Sequence, residues 1–515
     1  MAAHGDTDVN SLWNDLEAAR FRGELGARVY ASRLLGQDKS LVLHGGGNTS
    51  IKIGDILYVK GSGSDLAAVD ESAFTPLRLE CAQQVLAQEP RDNAEMMRLL
   101  DACLARRPAP VPSIETLLHT ALPFRCVDHT HADTVLAVVN TENGERIAAE
   151  VYGELAPLVP YHHSGVELAR ACRALLSRHG TPRTIGLALQ FHGIVAFGDS
   201  AQASYENMIR LVAIAETYLK SKRAWDVNLA APRPAPIDRM ALAALRAAVS
   251  RTAGFPLVMH TARDSLSFAF SQHPEVQALS QQGPATPQHA VFTRRVPQLG
   301  RDVDAFAQRY RDYLQRTLAA KAGALDAAPR IVVDPAFGVC ALGVNQKYAR
   351  VAAECYRHDM ETILRASAHD RYRAAPEAAI AQAELEYGGF EKKLRERISR
   401  DLPLLGQAAL VAPAAHRMQP GLPQQLLAQG AAVAVIGPPR ATAESAMPVV
   451  CMVPNDIEAA LDETAVACGG IDRLYAEPAD EPWAQAAAPL LALSPVGGRV
   501  LRAADQRRPF PQHRP

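Results

Sequence analysis

Two stretches of this chain spell the same local pattern. HGIVAFGDSAQASYENMIRLVAIAETYL starts at His192, and FGVCALGVNQKYARVAAECYRHDMETIL starts at Phe337. Each reads as a short apolar strand, a glycine turn and a helix with alanines at similar offsets. Strand-turn-helix steps of this kind build α/β layers. Their recurrence argues for two related α/β blocks in one chain, although strand-glycine-helix runs also recur by chance. The copies differ where chemistry is concerned. His192 in the first falls on Phe337 in the second, and a phenyl ring cannot ligate a cation. The second block is therefore expected to lack a metal site.

At 515 residues the chain is too long for one ordinary core, and roughly three domains are expected. The first, 1–230, reads as α/β. NSLWNDLEAARFRGELGARVYASRLL has helical periodicity with Asn10 or Ser11 as its cap. NTSIKIGDILYVKGSG reads as two strands joined across Gly54-Asp55. Helices are expected over 92–104 and 113–122. CVDHTH reads as a strand end, TIGLALQF as a buried strand delivering His192, and ASYENMIRLVAIAETYLKSK as a long closing helix. The prolines of NLAAPRPAPID mark a linker to the second block, 231–400. In the third, 401–515, LLGQAALVAPAAHRMQPGLPQQLLAQGAAVAVIG reads as strand, loop, helix and strand, the opening of a Rossmann-type unit. RAADQRRPFPQHRP is expected to be a disordered tail.

Charge narrows the function classes. With 54 basic and 55 acidic residues and a net charge of -1, the chain is not built as a nucleic-acid or membrane-surface binder. No apolar run approaches the ~18 residues of a membrane helix. The polar, acidic start lacks a signal-peptide core, which points to the cytoplasm. The eight cysteines (81, 103, 126, 172, 340, 355, 451 and 468) form no C-x-x-C. In a reducing compartment they are expected as buried free thiols.

The chemistry concentrates in a few short motifs. His129 and His131 stand two apart, and on an extended strand i and i+2 share a face. With His192 they supply three imidazoles, which with one open position describe a catalytic zinc-type site. His119, His162, His163 and His289 compete for the same role, and periodicity alone does not separate them. Glu115, in PSIETLLH, reads equally as a helix N-terminal charge behind a Ser113 cap or as an acid/base beside the metal. His44-Gly-Gly-Gly-Asn48-Thr-Ser50 is a loop able to wrap an oxyanion with backbone N–H groups. Lys60-Gly61-Ser62-Gly63 looks like a second such loop, against the plainer reading of Lys60 as a solvated surface charge.

Taken in order, Gly47-Asn48-Thr49-Ser50, Ser62-Gly63, Ser113-Ile114-Glu115, His129-Thr130-His131 and His192-Gly193 resemble the class II aldolase/adducin family over about residues 10–225. That resemblance implies a three-layer α/β/α domain and a homo-oligomer. It implies Zn²⁺ or another divalent ion on His129, His131 and His192, with Glu115 as acid/base. Gly47, Asn48, Ser62, Gly63 and Ser113 then hold a sugar phosphate, and Lys60 is added to them from the reading of its loop as an anion contact. The expected reaction is cleavage of a ketose 1-phosphate of the rhamnulose or fuculose type to dihydroxyacetone phosphate and an aldehyde. Rival readings are a sugar-phosphate epimerase or dehydratase on the same scaffold, or a non-catalytic adducin-like module. No proton donor is assigned, because Tyr161 matches a different tyrosine of the family. VKGSGSDL, PSIETLLHTALPF and GPATPQH further resemble the long type that joins a rhamnulose-1-phosphate aldolase to a short-chain dehydrogenase. The dehydrogenase part departs from its pattern. Pro413, Arg417 and Gln419 stand where the phosphate-loop glycines belong, and Gly437 where an acidic residue is expected. No Y-x-x-x-K pair follows. A truncated remnant without a nicotinamide cofactor, and no dehydrogenase activity, is the expectation.

Overall fold

The computed structural model describes residues 9–88, 90–227, 229–386, 396, 401–436, 450–452 and 456–502. The chain forms two compact units. One comprises Met1–Asn228 with Ala285–Gln288 and His358–Ala379; the other holds the remainder.

The first unit is built on a seven-stranded sheet. Its strands are β1 (Asn48–Ile53), β2 (Ile56–Lys60), β3 (Phe74–Arg78), β4 (Cys126–Thr130), β5 (Leu158–Val159), β6 (Gly186–Leu189) and β7 (Gly193–Gly198), in the order β3-β2-β1-β4-β7-β6-β5. All neighbours are antiparallel except β5 and β6. The β1–β2 hairpin closes at Gly54 (φ +59°), with Ile53 paired to Ile56. Alternation along β7 fills both faces. Ile194 and Ala196 pack with Val29, Leu35, Val135 and Met208, from the helices Gly23–Gln37, Asp133–Val139 and Ala201–Ser221. Val195 and Phe197 pack with Leu118, Leu168 and Cys172, from Thr116–Ala121 and Val166–His179. The result is the expected three-layer α/β/α arrangement.

Three expectations need correction. The N-terminal helix is two pieces, Asp15–Ala18 and Gly23–Gln37, because Asn14 caps the first through Leu16 and Glu17 N–H and Gly23 takes φ +72°. His192 does not ride on β6; it sits in the tight turn between β6 and β7. Cys81 and Cys103 are not free thiols. The helix Leu79–Ala87 and the end of Asn93–Ala102 bring their Cα atoms to 5.5 Å, and the pair is a disulfide. Cys126, Cys172, Cys340 and Cys468 are free thiols and, like Cys355, are buried as expected.

Among its described residues the second unit carries two sheets. β8 (Val258–Ala262), β9 (Gln298–Leu299), β10 (Ile331–Asp334) and β11 (Gly338–Gly343) run in the order β8-β11-β10-β9. β12 (Ala408–Val411), β13 (Ala432–Ile436), β14 (Val450–Met452), β15 (Arg473–Tyr475) and β16 (Arg499–Leu501) form a parallel sheet in the order β14-β13-β12-β15-β16. A buried ion pair joins the two parts. Arg246, on the helix Arg239–Ala253, meets Asp472 at 2.6 Å, and Asp472 also accepts the Ala408 N–H at 2.7 Å. Removing one partner of such a pair costs ~3–5 kcal/mol because the other charge stays buried. Gly437 and the tail beyond residue 502 lie outside the described residues. Among the described residues no helix is long and apolar enough to cross a membrane.

Candidate metal centre

β4 and the β6–β7 turn bring three histidines together. His129 lies on β4, His131 just past its end, and His192 at the turn of the neighbouring hairpin. All three are buried, and their ligand nitrogens lie within 4.8 Å of one another. His129 Nε2 and His131 Nε2 are 3.1 Å apart. A tetrahedral ion with Zn–N bonds of ~2.05 Å spaces its donors by about 3.3 Å, so this pair already has the separation required.

The donor atom of His129 also points correctly. His129 Nδ1 faces the Ile194 carbonyl at 3.0 Å, and a carbonyl only accepts. The ring proton is therefore on Nδ1, and Nε2 presents its lone pair to the cluster. Burial pushes the His129 pKa down to about 4, which keeps the imidazole neutral and ligand-competent at pH 7.

Glu115 stands at the N-cap of Thr116–Ala121, yet its side chain caps nothing. Its Oε1 is 2.9 Å from His192 Nε2, and its Oε2 is 3.6 Å from His129 Nε2. Burial alone would raise its pKa; the imidazoles of His129, His192 and His131, with a hydrogen bond from His192, hold it well below the usual carboxylate range. A buried carboxylate among ring nitrogens is an arrangement that a divalent cation neutralises. The residues fit such an ion by spacing and charge, and His129 by tautomer as well.

A hydrogen-bonded chain backs the carboxylate. Asn48 donates through Nδ2 to Glu115 and accepts through Oδ1 from His119 Nε2. His119 Nδ1 meets Ser50 Oγ at 2.7 Å. Both ends of the Asn48 amide are thus engaged within the protein. His119 is a support here and not a ligand, and burial drives its pKa to about 3. Half of this signal lies in the sequence, since Glu115 and His119 are i, i+4 and Asn48 and Ser50 are i, i+2 on one strand face; that the two pairs meet is not in the spacing.

The glycine loop packs over the same cluster. Gly47 has φ +60°, and a Cβ there would come to 2.7 Å from the His129 carbonyl oxygen; one on Gly46 would sit 3.3 Å from His131 Nδ1. Lys60 is buried, not a solvated charge, and donates to the carbonyls of Gly45 (3.0 Å) and Gly47 (3.3 Å). Ser113 Oγ accepts the Glu115 N–H at 3.2 Å. Ser62 and Gly63 are exposed; Ser62 N–H reaches the Val111 carbonyl at 2.9 Å, and Gly63 has open space around it. His162 and His163 are half-buried outside the three-histidine cluster.

Comparison with known proteins agrees with this architecture. Residues 27–219 match the Class II Aldolase and Adducin N-terminal domain, and residues 236–394 match Aldolase class II, second domain. The chain therefore carries class II aldolase/adducin domains. Over 394 residues it is 29% identical to a Bacillus subtilis (strain 168) protein named Uncharacterized oxidoreductase YuxG, covering 70% of this chain and 57% of that protein. The chain thus spans little more than half the length of that curated relative. Among solved structures, it is 32% identical to the N-terminal class II aldolase domain of a conserved protein from Thermoplasma acidophilum, covering 39% of this chain and 95% of that one, with a TM-score of 0.36. An L-fuculose-1-phosphate aldolase from Thermus thermophilus is 18% identical over 39% of this chain and 96% of its own, with a TM-score of 0.26.

Proposed function

We propose that this chain is a lyase, a metal-dependent class II aldolase that cleaves a ketose 1-phosphate of the rhamnulose or fuculose type to dihydroxyacetone phosphate and an aldehyde. One observation carries the reading: the Glu115 carboxylate lies 2.9 Å from His192 Nε2, inside the three-imidazole cluster, and caps no helix. A Zn²⁺ or similar ion on His129, His131 and His192 supplies Lewis-acid polarisation of a carbonyl and its neighbouring hydroxyl.

The protein's own groups do the rest. The C3–C4 bond of the ketose breaks, the C4 hydroxyl gives its proton to water as the aldehyde forms, and the electron pair stays with C3. Glu115 takes up a proton from water and delivers it to C3, and in the synthetic direction removes it and returns it to water. Asn48 fixes the carboxylate through its amide, and His119 fixes Asn48. The loop of Gly45–Gly47, braced by Lys60 and packed close to His129 and His131, is read with Ser62, Gly63 and Ser113 as the phosphate cradle. The test is a panel of ketose 1-phosphates with the metal-loaded protein, coupled to detection of dihydroxyacetone phosphate. Absence of cleavage across the panel would move the assignment to an epimerase, a dehydratase or a non-catalytic module. The family resemblance also suggests a homo-oligomer.

We read the remaining blocks as non-catalytic. The order β8-β11-β10-β9 repeats β4-β7-β6-β5 with the same antiparallel and parallel senses, which supports a second aldolase-like block over 231–400. There Phe337 occupies the position matching His192. The parallel order β14-β13-β12-β15-β16 supports a Rossmann-like remnant over 401–515. Its phosphate-binding position is filled from within. Asp480, buried, accepts the Ala414 N–H at 3.0 Å and the Ala415 N–H at 3.1 Å, at the start of the helix that follows β12.

A further inference from the structure

We propose that Asn140, held by two segments from far along the chain, is the positioning residue for His192. This rests on the reading of His129, His131 and His192 as a metal centre. Phe191 immediately precedes His192 and takes φ +57°. A bulky residue adopts that left-handed conformation only where its surroundings hold it. Here the hold is direct: Asn140 Oδ1 accepts the Phe191 N–H at 3.0 Å. On the other side of His192, Gly193 has φ +145°, and a Cβ would fall 2.1 Å from the Thr130 carbonyl oxygen. The turn is pinned on both flanks of the ligand.

Asn140 is itself fully buried and braced. Its Nδ2 donates to the Ala285 carbonyl at 2.6 Å, and its backbone carbonyl accepts the Arg373 N–H at 2.9 Å. Ala285 and Arg373 lie beyond residue 219, where the match to the N-terminal aldolase domain ends. Both nevertheless belong to the compact unit that holds the metal cluster. A second strut serves His131. The helix Asp133–Val139 starts two residues after it, and Asp133 accepts from His358 Nδ1 at 2.5 Å. Two ligands on separate turns therefore lean on one pair of segments, Ala285–Gln288 and His358–Ala379. Groups that orient ligands from outside the coordination sphere typically contribute ~10–100-fold in metal affinity.

The test uses the full-length chain, stripped of metal and titrated with Co²⁺, whose visible absorption reports ligand geometry without any turnover assay. Asn140→Ala is expected to bind cobalt about 10- to 100-fold more weakly, with an altered band. Asn143→Ala cuts the side-chain link to Asp370 on the same distant segment, keeps the backbone N–H bond and does not touch Phe191, and is expected to titrate as wild type. Wild-type affinity and spectrum in Asn140→Ala would overturn the proposal. So would an equal loss in Asn143→Ala, which would mean the segment is merely tethered. If Asn140→Ala does not fold, Asn140→Gln decides: the added methylene moves the acceptor away from the Phe191 N–H, weakened cobalt binding is expected, and an unchanged titration overturns the proposal. Wild-type protein that takes up no cobalt overturns the metal centre itself, and the inference with it.

Discussion

His129 and His131 present Nε2 atoms to each other at 3.1 Å, with the far nitrogen of His129 tied to the Ile194 carbonyl. That tie fixes which nitrogen is free to ligate. The purified protein should therefore hold about one divalent ion per chain. His129→Ala combined with His131→Ala should remove it, as read by elemental analysis. Chelation of wild type should lower its melting temperature, since a ligand bound to the native state alone stabilises by mass action. A double variant still carrying its full metal complement would refute the ligand assignment.

Glu115→Gln separates the two roles open to this residue. The amide keeps the shape and the Asn48 contact on one side, but it cannot carry a proton. Because the side chain caps no helix N–H, the loss in stability should be well under 1 kcal/mol. Turnover of ketose 1-phosphate should fall by roughly 10²- to 10⁴-fold with metal retained. Turnover near wild type would show that the carboxylate is only a neighbour of the imidazoles.

What could be read in the sequence was what lies on one element. The i, i+2 pair His129 and His131, the Gly54 hairpin and the strand–glycine–helix runs depend on local periodicity, and each is found as expected. What escaped depends on chain segments meeting in space. The Cys81–Cys103 bridge needs two helix ends at 5.5 Å. The role of His119 needs β1 beside its helix, and that of Asn140 needs Ala285 and Arg373, far along the chain. No spacing rule reports such distances. The break before Gly23 was missed for a different reason: apolar periodicity runs through Phe21-Arg22-Gly23, and only the backbone angle of Gly23 interrupts it.

Neither NAD nor NADP should bind the C-terminal block. Pro413 opens the helix after β12, and the N–H groups of Ala414 and Ala415 already hold the Asp480 carboxylate. A pyrophosphate would have to displace a buried anion from the place it would occupy. Calorimetric titration of the full chain is expected to give no heat of binding. A dissociation constant in the low micromolar range would show that the loop opens.

Lys60 gives a pH signature that can be worked out in sign. Burial lowers its pKa from the ordinary 10.5 to about 8, against the opposing pull of Glu115 and Asp65. In the unfolded chain the ammonium keeps its proton up to 10.5. Between about 8 and 10.5 the unfolded state therefore binds more protons than the folded one, and stability rises with pH. Below about 8 both states are protonated, so the penalty for burying the charge is constant and at its full size. The slope inside the window is about 1.4 kcal/mol per pH unit at most. Lys60→Met cannot titrate and lacks this slope, while also losing the donor to Gly45 and Gly47. Urea unfolding of metal-free protein, run at several pH values across the window, should show wild type gaining on the variant as pH rises. Parallel curves would mean that Lys60 keeps an ordinary pKa and reaches water, and that the loop over His129 and His131 is braced by something else.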